Sequence, residues 1–203
     1  MNMPNLKQLV ARKRAAVMVI DVQNDFCSSE FLAYQAMLPR LQRFLAEARH
    51  AGMRLVFTQA VHSDKTDSPV WLSRYRIRPH RQATCRIGTP GVDFHPMVQP
   101  RPEDVVVQKH RYNAFLGTDL ELILRAQGID SLLFTGIATN VCVENAAREA
   151  FQRDFWTIMV GDCMAAHSEE AHKAALTNAE RGFGLVATSD QVIQIWQSLS
   201  AAA

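Results

Sequence analysis

This sequence has little to build a metal-held or disulfide-held fold from. Only four cysteines occur in 203 residues, at Cys27, Cys85, Cys142 and Cys163. None forms a C-x-x-C pair, so a structural zinc site has no candidate of the usual spacing. Four cysteines spread over a chain this long do not make a small disulfide scaffold either. No segment approaches the ~20 apolar residues of a membrane span. Basic residues (Lys7, Arg12, Lys13, Arg14) precede the apolar run Ala15–Ile20, but that run is shorter than the ~7–15 residues of a secretory signal core, and Asp21 ends it. The expectation is a cytoplasmic protein with reduced thiols. A large charge of one sign is also missing. The formal net charge is +2, which gives no reason to expect nucleic acid or an anionic membrane as a partner. Repeats and low-complexity segments are absent, and Ala201–Ala203 reads as a frayed end.

The hydrophobic share is 48% and the charged share 21%, ordinary for a globular domain with a sizeable core. Ala15–Ile20 is a short continuous apolar run, the pattern of a strand buried on both faces of a parallel sheet. Leu38, Leu41, Leu45 and Ala48 then share a helical face, and Gly52 stands where a C-cap glycine belongs. Further strands are expected at Arg54–Thr58, Val105–Gln108, Ser131–Gly136, Phe155–Val160 and Leu185–Ala187. Helices are expected from Thr118 to Gln127, with Thr118 and Glu121 as a capping box, from Asn140 to Arg153, from Ser168 to Arg181, and from Ser189 or Asp190 to Leu199. A long irregular stretch, from about Gln59 to Pro102, carries most of the prolines, and loops of that length are often functional. Its arginines at Arg74–Arg86, with Arg76, Arg78 and Arg81 mixed among Trp71, Pro79 and His80, read either as a solvated loop or as a wall receiving an anionic substrate or a partner subunit. Strands alternating with helices predict a three-layer α/β/α Rossmann-like fold with a mostly parallel, about six-stranded sheet, formed as one domain over residues 1–203.

In such sheets chemistry gathers at the carboxyl ends of the strands. Asp21 ends the first strand, Lys109 ends the third, and Cys142 follows the fourth after the turn Gly136–Asn140. A helix N-terminus and a lysine ammonium both favour a thiolate. Asp21 is placed to accept the thiol proton and return it to a leaving amine. Backbone N–H groups around Ala138–Cys142 point where an oxyanion would form. Taken singly, each residue has an ordinary structural use: a strand-end Asp as a cap, a strand-end Lys in solvent, a Cys as a small buried hydrophobe. Their joint placement favours a cysteine-nucleophile hydrolase acting on an amide or ureido carbonyl.

The segments Ile20–Phe26 (IDVQNDF), Lys109–Phe115 (KHRYNAF) and Thr135–Val143 (TGIATNVCV) resemble those of the isochorismatase-like cysteine hydrolases. The resemblance runs from the first strand to the last helix. That family includes nicotinamidases, N-carbamoylsarcosine amidohydrolases, biuret hydrolases and ureidoacrylate amidohydrolases. The resemblance implies a catalytic triad of Asp21, Lys109 and Cys142, a cis peptide at Ile137–Ala138, and an oxyanion hole made by the N–H groups of Ala138 and Cys142. Gln23, Asn24, Phe26, Tyr112, Asn113 and Phe115 are the expected substrate-binding residues, with core packing an equal alternative for the two phenylalanines.

Nicotinamidases carry an Asp-x-His metal pair after the second strand. Ala60 and His62 stand there, so no metal and no cofactor is expected. Phe134–Glu144 and Lys109–Leu120 look most like ureidoacrylate amidohydrolases. The expected activity is hydrolysis of a C–N bond in a small ureido, carbamoyl or linear amide substrate, ureidoacrylate-like or biuret-like, through a thioester. A nicotinamidase-like or other primary amidase is the alternative. A nucleotide-binding domain is disfavoured because the turn after Ile20 has no Gly-rich phosphate loop. A non-catalytic interaction protein retaining the fold would have no need of a reactive Cys142. A homodimer or homotetramer is expected from the resemblance, with the long loop, Trp71, Ile193, Ile195, Trp196 and Leu199 as candidate contacts.

Overall fold

The computed structural model describes residues 4–11, 13–27, 32–74 and 84–200. Arg76, Arg78, Pro79, His80 and Arg81 of the arginine cluster, and the tail Ala201–Ala203, lie outside them. Six strands, β1 (Ala15–Ile20), β2 (Arg54–Ala60), β3 (Val105–Lys109), β4 (Ser131–Ile137), β5 (Trp156–Ala165) and β6 (Leu185–Ala187), form one sheet in the order β3-β2-β1-β4-β5-β6. Every pairing is parallel. The order reverses between β1 and β4, which opens a crevice at their carboxyl ends.

Alternation within the central strand builds two cores. Val17 and Val19 of β1 face a cluster with Leu38, Leu41 and Phe44 of α2 (Leu32–His50) and Val192 and Trp196 of α7 (Ser189–Ser200). Ala16, Met18 and Ile20 face the opposite cluster, with Leu120 and Leu124 of α4 (Leu120–Ala126) and Ala146 and Ala150 of α5 (Glu144–Gln152). All six residues of β1 are therefore buried. Such a strand has to be apolar throughout. A short α1 (Leu6–Val10) docks beside α7, with the Trp196 indole donating to the Val10 carbonyl at 3.1 Å. Ile193 and Trp196 belong to this core, and the Phe44 and Trp196 rings stack at 5.2 Å. The two are thereby removed from any subunit contact. Among the described residues no helix is long and apolar enough to cross a membrane.

Several features differ from the sequence expectation, β5 among them, which runs on to Ala165 instead of stopping at Val160. Helix α2 begins at Leu32 rather than Leu38 and carries Pro39 inside it, a residue that usually marks a helix start. The capping box at Thr118 does not form. Its hydroxyl donates to the Ala114 carbonyl at 2.6 Å, and Glu121 is drawn to Arg125 and Arg153 instead. The expected helix from Asn140 splits into a π turn at Thr139–Val143 followed by α5. Helix α6 (Glu169–Gly182) starts at its expected cap, the Ser168 hydroxyl accepting from the Ala171 N–H at 3.2 Å.

Strand β4 pairs with Ile20 of β1 at Gly136, whose φ is +102°. A Cβ there would sit 2.6 Å from the Ile20 amide nitrogen and nearer still to its carbonyl oxygen. Neither backbone can retreat without breaking the sheet at the crevice. Gly136→Ala is therefore expected to cost more than about 3 kcal/mol, as strain and overpacking add. Gly128→Ala, at φ +69° with open space around it, should cost only the ~1–2 kcal/mol of a left-handed non-glycine residue. Urea denaturation of both variants tests the contrast, and equal losses would contradict the close approach.

Candidate functional site

The crevice between β1 and β4 holds two buried charges. Asp21, the residue after β1, is fully buried, and its Oδ2 lies 2.6 Å from Lys109 Nζ at the end of β3. Asp21 takes φ +51°, a region Asp tolerates better than most residues. Its N–H donates to the Thr58 carbonyl at 3.3 Å, and the Thr58 hydroxyl donates to its Oδ1 at 2.6 Å. Oδ2 receives no hydrogen bond of good geometry and is left to the ion pair. The Lys109 ammonium donates also to the carbonyls of Arg111 and Tyr112, at 2.9 and 3.1 Å. Burial works against its charge, but Asp21 and the neighbouring Cys142 outweigh that and hold the lysine above its ordinary value.

Cys142 comes from the other side of the crevice. The Ile137–Ala138 peptide is cis, and the π turn follows, its first carbonyl, that of Ala138, accepting from the N–H groups of both Val141 and Val143 at 3.0 and 3.2 Å. The turn is anchored from behind, where Thr139 Oγ1 lies 2.8 Å from His172 Nδ1 of α6. Cys142 is 8% exposed, against 0% for Cys85 and Cys163, and it opens onto a cavity of about 340 Å³. The sequence led us to expect a depressed thiol. Lys109 does act in that direction, but burial is the larger effect and the Asp21 charge adds to it, so the Cys142 pKa is pushed up to about 12.

The cavity wall includes Lys109, Ala138, Cys142, Phe26 and Tyr112 from the expected set. Asp21 lies beneath the wall. Gln23, Asn24, Asn113 and Phe115 hold the frame instead of lining the cavity. The Gln23 amide group donates to the carbonyls of Ala60 and Val92 at 2.9 and 2.7 Å, and its oxygen accepts from the Ala60 N–H at 2.8 Å. Asn24 donates to the Pro90 carbonyl at 2.8 Å. Asn113 Oδ1 caps the Phe115 N–H at 2.9 Å, and the Phe115 ring packs on Phe155.

Arg74 and Trp71 of the long irregular stretch also line the cavity, while sequence reasoning missed Tyr34, His62, Arg111, Asn140 and His167 as wall residues. His62 is 4% exposed and is no ordinary loop residue. Its Nδ1 sits 3.1 Å from Asp67 Oδ1 and 3.4 Å from the Trp71 indole nitrogen. Its position just beyond a strand end was the available signal. Among the described residues no group of three or more His, Cys, Asp and Glu side chains is placed to hold a metal ion.

An isochorismatase domain model matches residues 15–191. The chain belongs to the isochorismatase family. It is 34% identical over 202 residues to the ureidoacrylate amidohydrolase RutB of Stutzerimonas stutzeri, covering 88% of this chain and 81% of that one. Its fold matches a cysteine hydrolase from Pseudomonas syringae pv. phaseolicola with a TM-score of 0.84 at 25% identity, covering 98% and 99% of the two chains. An N-carbamoylsarcosine amidase from Thermoplasma acidophilum matches with a TM-score of 0.74 at 26% identity, covering 87% and 97%. This isochorismatase-family chain is a hydrolase, and its membership agrees with the six-stranded parallel sheet and with the crevice at the switch between β1 and β4.

Two outcomes follow from the electrostatics of this family member. Lys109→Met strands Asp21 as an unpaired buried carboxylate and should cost about 3–5 kcal/mol. Adding Asp21→Asn should restore part of that, and additive losses in urea denaturation would contradict a direct pair. The second outcome concerns histidine. Burial lowers the pKa of His62, His95 and His172 from 6.5, with Asp67 opposing at His62 and Glu169 opposing at His172. Below about pH 6.5 the unfolded chain then binds protons that the folded chain refuses, so stability falls with falling pH. The Tm should be flat from pH 8 to 7 and decline below about 6.5, less steeply in His62→Asn/His172→Asn. A Tm that holds steady to pH 5.5 would refute the assignment.

Proposed function

We propose that this chain is an amidohydrolase that cleaves the C–N bond of a small carbamoyl or ureido compound through a thioester on Cys142. One observation carries the reading. A cysteine thiol opens onto a cavity directly beside a buried Asp21–Lys109 pair and interacts with both of its members. A buried carboxylate within reach of a thiol can accept the thiol proton. The likeness to a ureidoacrylate amidohydrolase supports the substrate class.

The charge arithmetic favours internal transfer. A proton lost to solvent would leave two anions, Asp21 and Cys142, around one ammonium in a buried site, and burial first, with the Asp21 charge adding to it, pushes the thiol up to about 12. A proton passed from Cys142 to Asp21 leaves one anion and one cation, as before. The thiolate is thus formed only when a carbonyl is present to receive it. In a ureido substrate R–NH–CO–NH2, the sulfur forms a bond to the carbonyl carbon, and the developing oxyanion is met by the N–H groups of Ala138 and Cys142. The C–NHR bond breaks, and the proton held by Asp21 goes to the departing nitrogen. Water, giving its proton to Asp21, then adds to the carbamoyl thioester and releases carbamate, with the proton returning to sulfur. Lys109 holds its charge throughout and opposes two successive anions.

The test is a screen of ammonia release across carbamoyl, ureido and primary-amide compounds, with mass spectrometry of the protein during turnover. Turnover with a carbamoyl-sized adduct mapped to Cys142 is the expected result. Asp21→Asn should fall by about 10²–10⁴ in kcat, the usual loss of a general acid–base. Turnover surviving in Cys142→Ala would sink the proposal.

A further inference from the structure

The turn that carries Cys142 is held by two kinds of contact. Bonds within it fix its shape: the Ala138 carbonyl accepts from the Val141 and Val143 N–H groups, and the Glu144 N–H donates to the Thr139 and Val141 carbonyls. Internal bonds of this sort leave the direction of the turn open, and direction decides where the Ala138 and Cys142 N–H groups point. A contact from outside has to set it. Thr139, which stands between those two donors in the chain, is fully buried. Its hydroxyl lies 2.8 Å from His172 Nδ1, its only hydrogen-bond partner among the described residues.

His172 is carried by a well-anchored helix. Helix α6 starts at the Ser168 cap and is tied to α5 by Asn178, whose side-chain amide donates to Glu144 Oε1 at 3.2 Å. It also packs tightly on β5, where a Cβ on Gly161 would sit 3.0 Å from Leu176 Cδ1. The His172 ring lines a second cavity that shares no residue with the one at Cys142. Any part it has in the reaction therefore passes through Thr139.

We propose that His172 is a positioning residue: through Thr139 it aims the oxyanion donors at the carbonyl under attack. The inference rests on the amidohydrolase reading above and adds to it a residue outside the cavity. Donors to an oxyanion act by being in place before the charge develops. A small misplacement therefore costs more in the transition state than in the bound substrate. A loosened turn should lose kcat and keep KM.

The test separates aim from nucleophilicity with two reagents. Iodoacetamide alkylates Cys142 at a saturated carbon and forms no oxyanion. Propionaldehyde adds to the thiol as a reversible hemithioacetal, whose oxygen sits where the oxyanion would form, and so protects Cys142 from iodoacetamide. In His172→Phe and Thr139→Val the alkylation rate of Cys142, followed by peptide mapping, should stay within about two-fold, while the aldehyde concentration for half protection rises at least about ten-fold. In the ureido screen kcat should fall by a similar factor with KM little changed. His172→Asn and Thr139→Ser keep a hydrogen-bonding group in place and should retain protection and turnover. The double variant Thr139→Val/His172→Phe should be no worse than either single one. Should His172→Phe fail to fold, Thr139→Val carries the comparison, since it removes only the hydroxyl. Equal protection in all variants, alkylation and protection lost together, or no rescue by the conservative pair overturns the inference and leaves the amidohydrolase reading standing. A wild-type Cys142 that propionaldehyde never protects removes the oxyanion hole itself, and the inference falls with that part of the reading.

Discussion

The ion pair between Asp21 and Lys109 is the constraint to which the rest of the site answers. Both groups are withdrawn from water, and removing two charges from water costs several kcal/mol each unless the remaining valences are met. They lie on strands separated by β2, so their meeting depends on register. Ile20 pairs with Thr58, and Ala60 pairs with Lys109. Thr58 between them supplies a hydroxyl to one carboxylate oxygen. The ammonium needs two more acceptors, and the chain after β3 turns back so that the carbonyls of Arg111 and Tyr112 provide them. The loop that frames the cavity is thus partly the solution to a solvation problem beneath it.

Burial also sets the state of the sulfur. A solvated cysteine beside a lysine would ionise readily. Here the same desolvation that strengthens the ion pair penalises a free thiolate. A site of this kind gains by moving protons internally at constant net charge.

The fold was legible because its strands are short apolar runs and its reactive residues stand at their ends. Ala15–Ile20 needs no alternation when both faces are covered, and Leu185–Ala187 was found with its own bounds. The π turn at Thr139–Val143 was not legible. It is fixed by a double acceptor at the Ala138 carbonyl and by the Thr139–His172 contact across 33 positions, neither of which leaves a local pattern. Thr118 misled because its hydroxyl accepts from the Leu120 N–H at 3.3 Å and donates to the Ala114 carbonyl, so it meets the helix one residue earlier than a capping box to Glu121 requires. Gln23 looked like a ligand-binding residue because it is polar at a strand end. The structure uses all of that polarity to tie Ala60 and Val92 together.

What the sequence conveyed least is the outer wall, and the reason is physical. The floor of the cavity is positioned by strand register and two hydrophobic cores. The wall is positioned by polar contacts within the segment after β2: Arg86 engages Asp64 and Asp67, Asp67 engages His62, and His62 touches Trp71. Backbone bonds stitch this segment to the strand ends, with the His62 N–H donating to the Cys85 carbonyl and the Cys85 N–H donating to Asp25 Oδ2, at 2.9 and 2.6 Å. None of these contacts has a period, so none shows in a hydrophobic pattern.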